Sequence, residues 1–248
     1  MADAHSVIHH VCQAQVDLTL TYDQSPLRPI ALKGHPAPDQ VFELSDNGRV
    51  HIRKDEKAYF DTVDKTVHVN LTNKRAINSP AFYNRVVVHE YAHRAHYVKD
   101  IITNASSDDD IKELMRDLKV ITDKKGKKLA DLAGKSTVDR YKIVDQMYEK
   151  FGFTYADTAE MSFFYFDTIQ AITWGEYGAG HELGYYLKAN GILRPAEVFA
   201  HAAENYFFGN PIFEYLDPEL YDRMMVYFRE KVIKKHLPNR IKWETPTK

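Results

Sequence analysis

Val86-Val87-Val88-His89-Glu90-Tyr91-Ala92-His93 is the stretch on which the reading of this chain turns. Histidines four positions apart sit one above the other on a helix, so both imidazoles can reach one metal ion. Glu90, about 100° round the axis from His89, can face the same space without ligating. An ion held there lowers the pKa of water to roughly 7, and a nearby carboxylate can take the released proton. HExxH on a helix is therefore a pattern for metal-assisted amide hydrolysis, and imidazole with carboxylate suits zinc best. The apolar run ahead of it and the small Ala92 suit a helix laid against a core.

Outward from the motif, Ser79 is a good N-cap and Pro80 a good first helical residue, which predicts a helix from Pro80 to Ile102. Upstream the period is two. Gln15 to Tyr22 alternates apolar and polar, and Thr66 to Leu71 does the same. Val41–Leu44 and Val50–Arg53 flank Ser45-Asp46-Asn47-Gly48, a hairpin signal. Downstream, 108–122, 137–150 and 156–172 read as helices, and Gly175 to Gly191 as a loop or broken helix. Arg194-Pro195 opens a helix that runs to Phe208 and stops at Gly209-Asn210-Pro211. A last helix starts near Asp217-Pro218 and ends before Leu237-Pro238.

These elements predict an α+β fold in a single domain over 1–248, with a small, mostly antiparallel N-terminal sheet and a helical C-terminal body. Its parts are a sheet-rich 1–78, an active-site helix within 79–103, a helical insertion over 104–174, and 175–248 with a further ligand helix and the C-terminal helix.

The 248 residues are 44% hydrophobic and 27% charged, enough apolar side chain for a substantial core. A formal charge of −2 argues against a dedicated nucleic-acid binder. No apolar run is long enough to span a membrane. One cysteine, Cys12, cannot form an internal disulfide. The N-terminus lacks a signal-peptide pattern, so the expectation is a cytoplasmic protein, or one exported without a cleaved signal. The basic run Lys124-Lys125-Gly126-Lys127-Lys128 reads as a solvated loop.

With strand, HExxH helix and a distant ligand helix in this order, the chain resembles the zincin metallopeptidases. Positions 96 and 99 hold His96 and Lys99, where a metzincin carries Gly and His, so the gluzincin type, with a distant Glu, is the closer likeness. Pro195-Ala196-Glu197-Val198-Phe199-Ala200-His201-Ala202 is similar to the glutamate helix, E-x-F-A-E-A, of anthrax-lethal-factor-like and related toxin- or phage-associated zincins. The resemblance implies Glu197 as third ligand to one zinc ion beside His89 and His93, with Glu90 as general base. It also implies a peptide substrate lying along an edge strand at Val67, His68, Val69 and Asn70. Where those proteins often carry a second glutamate, this chain has His201.

Spacing keeps alternatives open. Glu197, His201 and Glu204 share one helical face, so His201 or Glu204 could complete the site, and Glu160 is a fallback. Glu204 also suits a partner for a ligand histidine. His96 lies about 10 Å along the axis from His89, too far to share its ion. His181-Glu182-Leu183-Gly184-Tyr185 has Tyr where the second His would be, and reads as no metal site. Tyr177, Tyr185 and Tyr186 are candidates to stabilise an oxyanion. Met161 to Phe166, between Glu160 and Asp167, reads as core. His9, His10 and His236 read as exposed.

The function expected from these residues is a zinc-dependent endopeptidase acting on a protein or peptide, with no nucleic acid and no membrane span involved. A catalytically latent zincin-like binding or structural module is the alternative.

Overall fold

A computed structural model describes residues 18–21, 49–52, 59–61, 63, 67–69, 80–97, 109–181, 183–187 and 193–234. Four short strands, β1 (Leu18–Thr21), β2 (Arg49–Ile52), β3 (Tyr59–Phe60) and β4 (Val67–Val69), form one sheet in the order β1-β2-β4-β3. β1 and β2 pair antiparallel with Leu18 opposite Ile52, and β3 and β4 antiparallel with Tyr59 opposite His68. The middle pair, β2 and β4, is parallel, with His51 opposite His68. The α+β class and the mostly antiparallel sheet hold. The expected hairpin about Asn47-Gly48 lies largely outside the described residues, as do Cys12, His9, His10 and His236.

One expectation is overturned. β4 has β2 on one side and β3 on the other, so Val67, His68 and Val69 have no free edge to offer a substrate strand. A strand whose backbone groups are spent on both neighbours cannot add a third. His68 is buried and its ring stacks on Tyr59 at 4.6 Å. Asn70 lies outside the described residues.

The helical body follows as α1 (Pro80–Tyr97), α2 (Asp109–Lys125), α3 (Lys128–Ala133), α4 (Thr137–Phe151), α5 (Tyr155–Thr173), α6 (Leu183–Leu187), α7 (Leu193–Phe208), α8 (Pro211–Leu216) and α9 (Pro218–Tyr227). A π-helical turn over Phe228–Ile233 continues α9. Local chemistry explains most boundaries. Ser136 and Thr154 cap α4 and α5 by accepting from Asp139 N and Asp157 N, both at 3.1 Å. Asn210 and Asp217 cap α8 and α9 in the same way, each followed by Pro. Asp217 also holds Lys125 at 2.8 Å, so the basic run is partly anchored.

α7 is the central rod. Every residue from Ala196 to Phe207 is buried. It packs against α1, α5, α2 and α9, and α1 packs in turn on β3 and β4. Ala200, Ala202 and Ala203 are small enough for those neighbours to come close. Two buried arginines fix its ends. Arg85 of α1 donates to Phe208 O at 3.4 Å and to Gly209 O. Arg194 donates to Ala171 O at 2.6 Å and to Ile172 O, and lies 3.8 Å over the Trp174 ring. Burial pulls the Arg194 guanidinium down to about 10.

Candidate metal centre

A helix buried on all sides should be apolar all round. α7 is not: Glu197, His201, Glu204 and Asn205 lie inside it, each at most 1% exposed. Burying ionisable groups is costly unless charges and bonds answer one another. The partners come from α1, α5 and the segment before α7.

The α1 imidazoles meet the Glu197 carboxylate. His89 Nε2 lies 3.1 Å from His93 Nε2 and 3.2 Å from Glu197 Oε2, and His93 Nε2 lies 3.4 Å from Glu197 Oε1. Behind them, Glu204 Oε2 is 3.4 Å from His89 Nδ1, and Glu204 Oε1 is 2.8 Å from His201 Nδ1. Glu204 thus faces the far nitrogen of His89, without a hydrogen bond to it, while Nε2 faces Glu197. The His89 ring meets His93 and His201 edge-on at 4.7 and 4.8 Å. Glu90 follows His89 on α1 and is half-buried.

A second layer comes from α5, α6 and the Gly-rich segment. Tyr185 OH donates to Glu197 Oε1 at 2.5 Å, and Tyr186 OH donates to Asp167 Oδ1 at 2.9 Å. His201 Nε2 lies 3.5 Å from Asp167 Oδ2. His181 Nε2 lies 3.5 Å from Glu197 Oε2 and 3.9 Å from Asp167 Oδ2, with its ring stacked on Tyr185 at 4.1 Å. Among the described residues, three groups have donor atoms close enough to share an ion: His89, His93 and Glu197; His89, His201 and Glu204; and Asp167, Glu197 and His201.

Charge follows contact. Burial would raise the Glu197 carboxyl, but His93, His181 and His89 together hold it well below the usual range. Burial works against a charge on His89, yet Glu197 and Glu204 outweigh it and raise that imidazole well above its ordinary value. Burial also opposes a charge on His201, and Glu204 with Asp167 overcomes it, lifting the ring to about 9. Burial would push Glu204 up, but His201 and His89 bring it down.

Comparison with family models, curated proteins and solved structures finds no match to this chain. The site therefore rests on its own geometry. That geometry brings His89, His93, Glu197, His201, Glu204, Tyr185 and Tyr186 together. Glu160 enters none of the three groups, and Asp167, two helical turns along α5, is the residue of that helix that does. His96 is buried with its ring 5.6 Å from Phe199, and burial drives it down to about 3, a neutral core histidine. Tyr177 lies apart, under Lys135 Nζ at 5.4 Å.

Sequence reasoning missed His181 and Asp167. Each had a signal: His181 stands in a cluster of Gly and Tyr, and Asp167 is a carboxylate directly after the aromatic run Phe163-Phe164-Tyr165-Phe166. Gly178 and Gly180 explain the arrangement. Gly178 has φ +82°, and a Cβ there would lie 2.0 Å from Phe166 O. A Cβ on Gly180 would lie 2.0 Å from Asp167 Oδ1. Only bare glycine backbone lets the segment press onto α5, where Ala179 N donates to Phe166 O at 3.1 Å. That docking carries His181 into the site.

Proposed function

We propose that the chain is a zinc-dependent endopeptidase of the gluzincin type, with His89, His93 and Glu197 as metal ligands. One observation carries the reading. A tetrahedral zinc ion with bonds of about 2.0–2.1 Å needs its donors roughly 3.3 Å apart. His89 Nε2 and His93 Nε2 lie 3.1 Å apart, and the Glu197 carboxylate approaches them at 3.2 Å through Oε2 and at 3.4 Å through Oε1. The chemistry of the set agrees, since borderline nitrogen and oxygen donors suit zinc.

When bound, the ion acidifies water and polarises a peptide carbonyl. The chain's own residues do the rest. Glu90 accepts the proton of the attacking water and returns it to the leaving amine. Tyr185, which donates to Glu197 in this structure, is a phenol at hand for the developing oxyanion. Glu204 Oε2, 3.4 Å from His89 Nδ1, is the carboxylate placed to orient that ring.

The test pairs zinc binding with cleavage of an unstructured peptide library. Wild type should bind zinc and hydrolyse peptide. Glu90→Gln should keep the zinc and lose about 10²–10⁴-fold in rate, the usual worth of a general base. Failure to bind zinc overturns the reading, and zinc binding without Glu90-dependent hydrolysis leaves only the latent module.

A further inference from the structure

We propose that the centre is dinuclear: a second divalent cation binds between Asp167, His181 and His201 and shares the Glu197 carboxylate with the first. The inference rests on Glu197 being a metal ligand, as above, and goes beyond the single ion expected from the sequence. Beside the first group, Asp167, His201 and the Glu197 carboxylate have donors close enough to share an ion, and His181 Nε2 lies against two of them. The separations are 3.5 Å for His201–Asp167, 3.5 Å for His181–Glu197 and 3.9 Å for His181–Asp167. Asp167, Glu197 and His201 have donor atoms within 4.8 Å of one another, wider than the edges of a zinc tetrahedron, so an ion would draw these side chains inward.

Two further observations point to an occupant. His201 Nε2 and Glu197 Oε2 are buried and lack any hydrogen bond of normal length, while both residues are 1% exposed. Buried polar atoms so placed ordinarily have a partner. His201 Nδ1 is already engaged by Glu204 at 2.8 Å, which directs Nε2 at Asp167 as a ligand imidazole is directed at its ion. The cluster also carries three carboxylates, Glu197, Glu204 and Asp167. One divalent ion leaves one of their three charges unanswered. A second cation or a proton on His201 would answer it, and the two differ in metal count.

A shared carboxylate is how paired ions some 3.5–4 Å apart are held in hydrolytic two-metal sites, where they clamp the attacking and leaving oxygens. The arrangement gives position 201 a purpose. Glu204 takes over the partner role on His89, and that releases 201 to carry an imidazole.

The experiment titrates chelator-stripped full-length protein with Zn²⁺ and measures bound metal per chain by mass spectrometry, in parallel with Co²⁺ absorption. Two zinc ions per wild-type chain, falling to one in both Asp167→Asn and His181→Ala, is the expected result. The lost ion should weaken by more than the roughly 10- to 100-fold that removing an outer partner costs. His181 is partly exposed, so its variant should fold whatever the fate of Asp167→Asn. One ion in wild type, unchanged in both variants, overturns the second site and leaves the first standing. Two ions in every form put the extra one elsewhere and also overturn it. No zinc in any form removes this inference together with the reading it rests on.

Discussion

At the scale of single residues, the centre is a set of histidines whose protons would compete with the proposed metal. His201 is raised to about 9 and His89 is raised as well, so a zinc ion bound as proposed would have to displace protons from this cluster. Zinc affinity should therefore climb with pH through the neutral range, about tenfold per unit for each proton displaced, as competition with a chromophoric chelator would measure. Without metal the sign reverses. The raised His201 stabilises the fold fully below its unfolded value near 6.5, and that contribution fades as pH rises through 9. The lowered Glu197 and Glu204 stabilise above about 4.5, and theirs is lost as pH falls through their folded values. The metal-free protein should melt highest between those limits, near pH 4.5–6.5. Glu204→Gln tests the orienting carboxylate separately: it should keep the metal count and weaken zinc about 10- to 100-fold.

At the scale of elements, what holds the ligand helices together can be broken without touching a ligand. Arg85→Met removes the donor from α1 to Phe208 O and Gly209 O, and unpaired buried carbonyls cost about 1–3 kcal/mol. A chain of this size should then melt several degrees lower. Gly178→Ala puts a side chain at φ +82° against the Phe166 carbonyl, and positive-φ strain alone costs about 1–3 kcal/mol. It should also lift His181 from Asp167, and the Co²⁺ spectrum would report it. The helices themselves were legible. Ser136, Thr154 and Asp217-Pro218 are caps that act within one turn, and the predicted spans of α2, α4 and α5 lie within a few residues of those observed. The face shared by Glu197, His201 and Glu204 was likewise fixed by spacing. His181 was not legible, because its place depends on a glycine segment docking onto a helix remote in sequence. Nor was the interior position of β4, since a two-residue β3 carries too little pattern to announce a neighbour.

At the scale of the whole molecule, the metal should act as a structural clasp. It would join α1 to α7, and through a second ion α5 as well. Zinc at a hundred times its dissociation constant adds about 2.7 kcal/mol per site, so stripping it with a chelator should lower Tm by roughly 5–10 °C. Among the described residues no helix is long and apolar enough to cross a membrane. The strand order β1-β2-β4-β3 has a consequence for the order of synthesis. β2 and β3 leave the ribosome before β4, yet they are joined only through β4, which lies between them. Of the described pairings, a nascent chain ending ahead of Thr66 can form the β1–β2 ribbon alone, and a lone two-stranded ribbon is marginal in water. Among the described strands the sheet is thus complete only once β4 is made, ahead of α1, so sheet and HExxH helix take shape together.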